Sequence, residues 1–205
     1  MAYKSLSLDK NTPPRVSKLI LSVENLRFSD VHTMLRLPLK AYNLNGGCNF
    51  AIAQVLMSVI GGISATLYEP AWKDNARFKG VLKDYYPWNQ EPQGVKPQDT
   101  ATAIYEVFRN PLTHDLGLDV PNKRKGTKLL LKRLKLGEEG LSESFIETEL
   151  EGYDRRTGMS ATLTATSGTQ TLLVEALYWG VRRMIENISA DKTKMKIAEK
   201  FLSKL

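Results

Sequence analysis

Arg109-Asn110-Pro111-Leu112-Thr113-His114 places a guanidinium, an amide and an imidazole within six residues. The chain holds only two histidines, and His114 is one of them. An imidazole moves protons near neutral pH. A guanidinium grips a phosphate through two parallel hydrogen bonds, a geometry lysine lacks. RNA supplies its own nucleophile, the 2′-hydroxyl. A cleavage site then needs a base for that proton, an acid for the leaving 5′-oxygen and a cation for the phosphorane charge. His114 suits base or acid. Arg109 suits phosphate binding and transition-state stabilisation. Asn110 suits orienting either one, or a contact to a phosphate oxygen. The chemistry these residues imply is RNA cleavage without a metal.

The spacing sets a geometric condition. On an uninterrupted α-helix, residues five apart differ by roughly 140° around the axis. Arg109 and His114 would point to different sides. Pro111 can open a new turn and redirect the chain, since proline suits a first helical position. Alternatively, two copies of the segment meet across a dimer two-fold, one imidazole as base and the other as acid.

The elements that position these residues read mostly as helices. Val16, Leu19, Ile20, Val23 and Leu26 follow Pro13-Pro14 at helical spacing. A second helix is expected over roughly Asp30 to Tyr42, capped by Asp30 and kinked or shortened by Pro38. Asn49 to Tyr68 is the longest apolar segment, and no charge occurs between Lys40 and Glu69. Its length would suit a bilayer, but Asn49, Gln54, Ser58, Ser64 and Thr66 interrupt it. It reads as the central buried helix of a bundle, with a face of large side chains and a face of small ones (Gln54, Ser58, Gly61 and Ala65) for close approach of a neighbouring helix. Asp74 to Tyr85 forms the next helix, with Phe78, Val81, Leu82 and Tyr85 inward. Tyr86 to Gln98 is a long, proline-rich loop. Asp99 or Thr100 then caps a helix with Ala101, Ile104, Tyr105 and Phe108 on one face, and that helix delivers Arg109.

Beyond Gly117 the character changes. Lys123, Arg124, Lys125, Lys128, Lys132, Arg133 and Lys135 form a basic run, and no acid occurs from Val120 to Gly137. Such a run can track an RNA backbone, and equally it can be a solvated face. A strand is the expectation here. Phe145 to Tyr153 and Met159 to Thr166 alternate around a turn and predict a β-hairpin. A long amphipathic helix is expected from about Thr169 to Ile188, with Leu173, Leu177, Val181, Met184 and Ile188 inward. Asp191 caps a last helix with Ile197, Phe201, Leu202 and Leu205 on one side. The expected fold is mainly α, a bundle of about six or seven helices with a small β-hairpin insertion before the C-terminal helices. We divide a single domain into a helical core (1–120), a basic, hairpin-containing insertion (121–168) and the C-terminal helices (169–205).

Composition narrows the function classes. A length of 205 residues supports a full core without staples. The single Cys48 excludes an intrachain disulfide and fits a reducing compartment. One Cys and two His make a structural zinc site a poor fit, and no metal or cofactor is expected. No secretory signal pattern opens the chain, so a cytoplasmic location is the expectation. The net charge of +7 points to polyanionic partners. His32 reads as a surface or helix-side residue, Cys48 as a small packing residue. Tyr85, Tyr86 and Trp88 suit either base stacking or core packing.

The Arg-Asn-x-x-x-His segment after an apolar helix, in an otherwise helical chain, resembles the HEPN superfamily. The Gly46-Gly47-Cys48-Asn49-Phe50 lead into an apolar helix is similar to uncharacterised bacterial proteins of that kind. The resemblance covers roughly Val16 to Leu118. It implies a helical bundle that pairs as a homodimer, with Arg109, Asn110 and His114 lining the cleft. It implies metal-independent endoribonuclease activity on RNA, in a toxin or defence role, under an antitoxin or regulatory protein. Other members hold RNA, nucleotide or protein without cleaving, so a non-catalytic binding module is the alternative. Pro111 inside the motif, and Gly117 with Pro121 soon after it, depart from the common pattern.

Overall fold

The computed structural model describes residues 5–37, 48–69, 71–110, 112, 128–132, 161–166 and 168–205. The protein is mainly helical, with a small sheet before the C-terminal helices. The first helices are α1 (Pro14–Val23) and α2 (Ser29–Arg36), joined without a break by a π-helical segment, Glu24–Phe28. That segment changes which residues face inward. On an ideal α-helix, steps of four drift by about 40° each. The wider π-turn absorbs the drift. Val16, Ile20, Glu24, Phe28, Val31 and Leu35 therefore form one buried stripe. Leu26, expected inward, is 59% exposed. Because α2 continues the rod, Asp30 caps nothing. The helix stops at Arg36 rather than reaching Tyr42, whose neighbourhood lies outside the described residues. Leu37 precedes Pro38 and takes the extended backbone a proline imposes on its predecessor (φ −59°, ψ 127°).

Helix α3 (Asn49–Leu67) is the axis of the bundle, touching α2 and α4 (Asp74–Tyr85). It also touches α6 (Val174–Ser189), α7 (Lys192–Leu202) and strand β1 (Lys128–Lys132). It is long and apolar enough to cross a membrane by length and composition, and 56% of its apolar window is buried inside the protein. The large-residue face packs as expected, with Ile52, Leu56, Ile60 and Leu67 fully covered. The small-residue face does not. A Cβ on Gly61 or Gly62 would meet nothing within 4 Å, so among the described residues no helix approaches closely there.

The sheet has the order β1-β3-β2, with β2 at Leu163–Thr166 and β3 at Thr169–Leu173. β3 pairs parallel with β1 and antiparallel with β2. β2 and β3 form a hairpin turned at Gly168 (φ +75°). β2 falls within the strand expected at Met159 to Thr166, and its expected partner, residues 145–153, lies outside the described residues. One expectation is corrected here: the segment from Thr169 begins as a strand before α6 starts at Val174. Pairing to two neighbours outweighs the helical periodicity of these residues. The basic strand expected around Lys128–Lys132 is present as β1. It is tied to the bundle where the Asn49 amide donates to the Leu131 carbonyl at 3.3 Å.

Helix α6 packs on the remaining faces of the core. Gly180 is required there: a Cβ would overlap the Tyr86 ring and hydroxyl. That hydroxyl cannot retreat, because it is buried and bonded to Thr162 Oγ1 at 2.7 Å and the Ala176 carbonyl at 3.3 Å. Arg182 sits beneath the first π-segment, 3.8 Å from Glu24, both side chains buried. Its guanidinium faces the rings of Phe28, Tyr178 and Trp179. Glu24 also accepts from the Leu6 backbone N–H at 2.7 Å, which ties the N-terminal segment to the core.

Candidate functional site

Arg109 is delivered by α5 (Pro97–Ala103) and a second π-helical segment, Ile104–Arg109. The cap is Lys96, with Pro97 in the first turn, rather than Asp99 or Thr100. Proline's missing N–H costs nothing there. Asp99 falls in the first turn, where its charge favours the helix. Ala101, Ile104, Tyr105 and Phe108 are buried as expected, and the π-turn adds Val107. Apolar packing thus fixes the helix that carries Arg109.

Among the described residues, Asp74, Asn110 and Tyr105 hold the Arg109 guanidinium. Nη2 donates to Asp74 Oδ2 at 3.1 Å, and Nη1 to Asn110 Oδ1 at 3.2 Å. The guanidinium lies 5.2 Å from the centroid of the Tyr105 ring. The Arg109 side chain is 21% exposed and Asp74 49%, so the pair sits at the rim of the core. Asp74 begins α4 and also lies 3.7 Å from Arg77. Below them Phe78 packs edge-on to Tyr105 at 5.2 Å. Lys79 bridges to Glu106 at 3.6 Å. The start of α4 and the end of the Arg109 helix are therefore joined by an apolar contact flanked by ion pairs.

Sequence spacing placed Arg109 and Asn110 together, and they are bonded. His114 lies outside the described residues, as do Pro111 and the basic residues Lys123, Arg124, Lys125, Arg133 and Lys135. Lys128 and Lys132 fall on β1, and only their backbone is described. Two residues were not anticipated. Tyr105 stands four residues before Arg109, the spacing that places side chains over one another on a helix, and that signal was available. Asp74 comes from another helix with no local signal.

The other candidates have packing roles. Tyr86 is buried. Trp88 donates its indole N–H to the Leu82 carbonyl at 2.9 Å. Tyr85 donates to Asp191 at 2.6 Å, and burial together with that carboxylate pushes the phenol well above its ordinary range. The Tyr85 bond in turn holds the Asp191 carboxyl below its ordinary range. Asp191 caps α7 as expected, accepting from the N–H groups of Thr193 and Lys194. Cys48 is half-buried at the start of α3 in a left-handed backbone (φ 59°). Among the described residues no cluster of three or more His, Cys, Asp or Glu is placed to hold a metal.

Chemically, the Arg109 arrangement is an oriented cation beside an amide, at a half-open rim. A guanidinium stacked on an aromatic ring and bonded on two nitrogens has lost most of its rotational freedom, which favours recognition of a planar or tetrahedral anion. No family model matches the chain, and no curated protein or solved structure matches it.

Proposed function

We propose that the protein is a HEPN-like endoribonuclease that works without a metal, as a homodimer. The observation that supports this reading is the fixed Arg109 guanidinium, held by Asp74, Asn110 and Tyr105, with His114 five residues later in the sequence. In this reading Arg109 binds the scissile phosphate and stabilises the phosphorane. The 2′-oxygen attacks phosphorus and the 5′-oxygen leaves, giving a 2′,3′-cyclic phosphate and a 5′-hydroxyl. His114 takes the proton from the 2′-hydroxyl, and the imidazole of the second copy gives one to the 5′-oxygen. The basic run from Lys123 to Lys135 follows the RNA backbone. A toxin or defence role under an antitoxin or regulatory protein belongs to the same proposal.

One observation favours a second reading, a binding module of the same kind without turnover. The Asp74 carboxylate already occupies one guanidinium nitrogen, and an RNA phosphate must compete with it. The test is cleavage of a mixed-sequence single-stranded RNA in EDTA by the wild type and by His114→Ala. Chelator-resistant cleavage that disappears in the variant, with binding retained, supports the nuclease. RNA binding without cleavage by the folded wild type supports the module.

A further inference from the structure

We infer that the groove between α1, α3 and α7 is the docking site for an acidic amphipathic helix of a protein partner. The groove encloses about 440 Å³. Leu19 and Val23 form one wall, Phe201 and Leu202 the other, and Val55 and Ile63 lie in the floor. Neither Arg109 nor Asp74 lines it, so it is separate from the candidate site.

Two features of this face are unexplained by the chain's own packing. The first is the end of α7, which reads from the sequence as having an apolar side. Phe201 and Leu202 line the groove only half-buried, and Leu205, just past the helix, lines it 90% exposed. An apolar stripe left half in water gains roughly 25 cal/mol for each Å² that a partner covers. The second is the small stripe along α3. Gln54, Ser58, Gly62 and Thr66 recur every four residues down the floor. Gly62 has open space where a Cβ would stand, so nothing among the described residues requires it to be small. Small residues in such a row admit a second backbone at close range. Gln54 and Ser58 offer hydrogen bonds that an alkyl chain would leave unmet, which favours a peptide over a lipid tail.

Charge chooses the partner's sign. α1 carries Arg15 and Lys18 and no acid, and Arg27 lines the groove. α7 carries four lysines and one acid, Glu199, which already pairs with Arg15 at 3.6 Å. α3 carries no charge. A mostly apolar groove with Arg27 in its lining, between two helices rich in basic residues, matches a helix with apolar residues at i, i+3, i+4 and i+7 and carboxylates on its flanks. A second copy seated here by this same basic face would set like charges against one another.

The test uses the full chain and two synthetic, fluorescein-labelled peptides of about 20 residues with leucines at the same helical positions. One carries glutamates elsewhere, the other lysines. Anisotropy should show the glutamate peptide binding at least about tenfold more tightly than the lysine peptide, with the difference shrinking in salt. Gly62→Leu fills the groove from its floor. It should weaken the glutamate peptide by about tenfold or more, with thermal unfolding of the protein unchanged or slightly raised. Equal binding of both peptides, no binding of the glutamate peptide, or binding untouched by Gly62→Leu would overturn the inference. So would a wild-type dimer in sedimentation that Gly62→Leu converts to monomer, because the groove would then belong to a second copy.

Discussion

Asp74 Oδ2 lies 3.1 Å from Arg109 Nη2, at the start of one helix and the end of another. The two residues are 35 positions apart, and no local pattern connects them. The pair couples the fold to the candidate chemistry. It orients the guanidinium, and it also offers a carboxylate where a phosphate would bind.

Removing that carboxylate separates the two effects. Asp74→Asn should tighten binding of a short single-stranded RNA several-fold at low salt, because the phosphate no longer competes with a like charge. Exposed pairs contribute only about 0–1 kcal/mol, so the melting temperature should move little. Filter binding and thermal unfolding check both. Weaker RNA binding by the variant would make Asp74 an orienting group instead.

Gly180→Ala should destabilise the protein by about 1–3 kcal/mol or more, read from urea unfolding. The new methyl and the Tyr86 hydroxyl cannot share the space, and Tyr86 is anchored to Thr162 and Ala176. Gly61→Ala is the control. It meets nothing and should be neutral or stabilising by roughly 1 kcal/mol through helix propensity.

Glu24→Ala should cost about 3–5 kcal/mol, because it leaves Arg182 buried without its carboxylate and the Leu6 N–H without its acceptor. Glu24→Gln keeps an acceptor for Leu6 and should cost less. Chemical denaturation of the three proteins orders them.

The Asp191 carboxyl titrates below its ordinary value in the folded chain, first because of Tyr85 and then because of the α7 cap. A depressed carboxyl stabilises above its unfolded pKa, near about 3.9 for aspartate. That stabilisation fades as pH falls through the lower folded value. Asp191→Asn should therefore flatten the loss of stability on acidification below about pH 4, and Tyr85→Phe should flatten it partly. Thermal unfolding from neutral to acid pH measures this.

Much of the fold was legible because burial follows period. The α4 boundaries, the inward faces of α4 and α6 and the Asp191 cap all came from local pattern. What failed was whatever depends on a neighbour. The π-turn at Glu24–Phe28 rotates the stripe so that a glutamate is buried and Leu26 is not, and the reason, Arg182, is far along the chain. Thr169–Leu173 becomes a strand because β1 and β2 flank it. Of the small face of α3, Gln54 and Ser58 lie in the floor of a groove, whereas Gly61 and Ala65 do not line it. At the candidate site, Arg109 with Asn110 was legible from the motif, and Asp74 was not.

The most direct test is cleavage of a DNA strand carrying a single ribonucleotide, in EDTA, by the wild type and Arg109→Ala. The account predicts a cut only 3′ to the ribonucleotide, leaving a 2′,3′-cyclic phosphate. It also predicts a loss for the variant of at least about a hundredfold, the scale of one transition-state contact. No cut by the folded wild type, or equal cutting by Arg109→Ala, would contradict it.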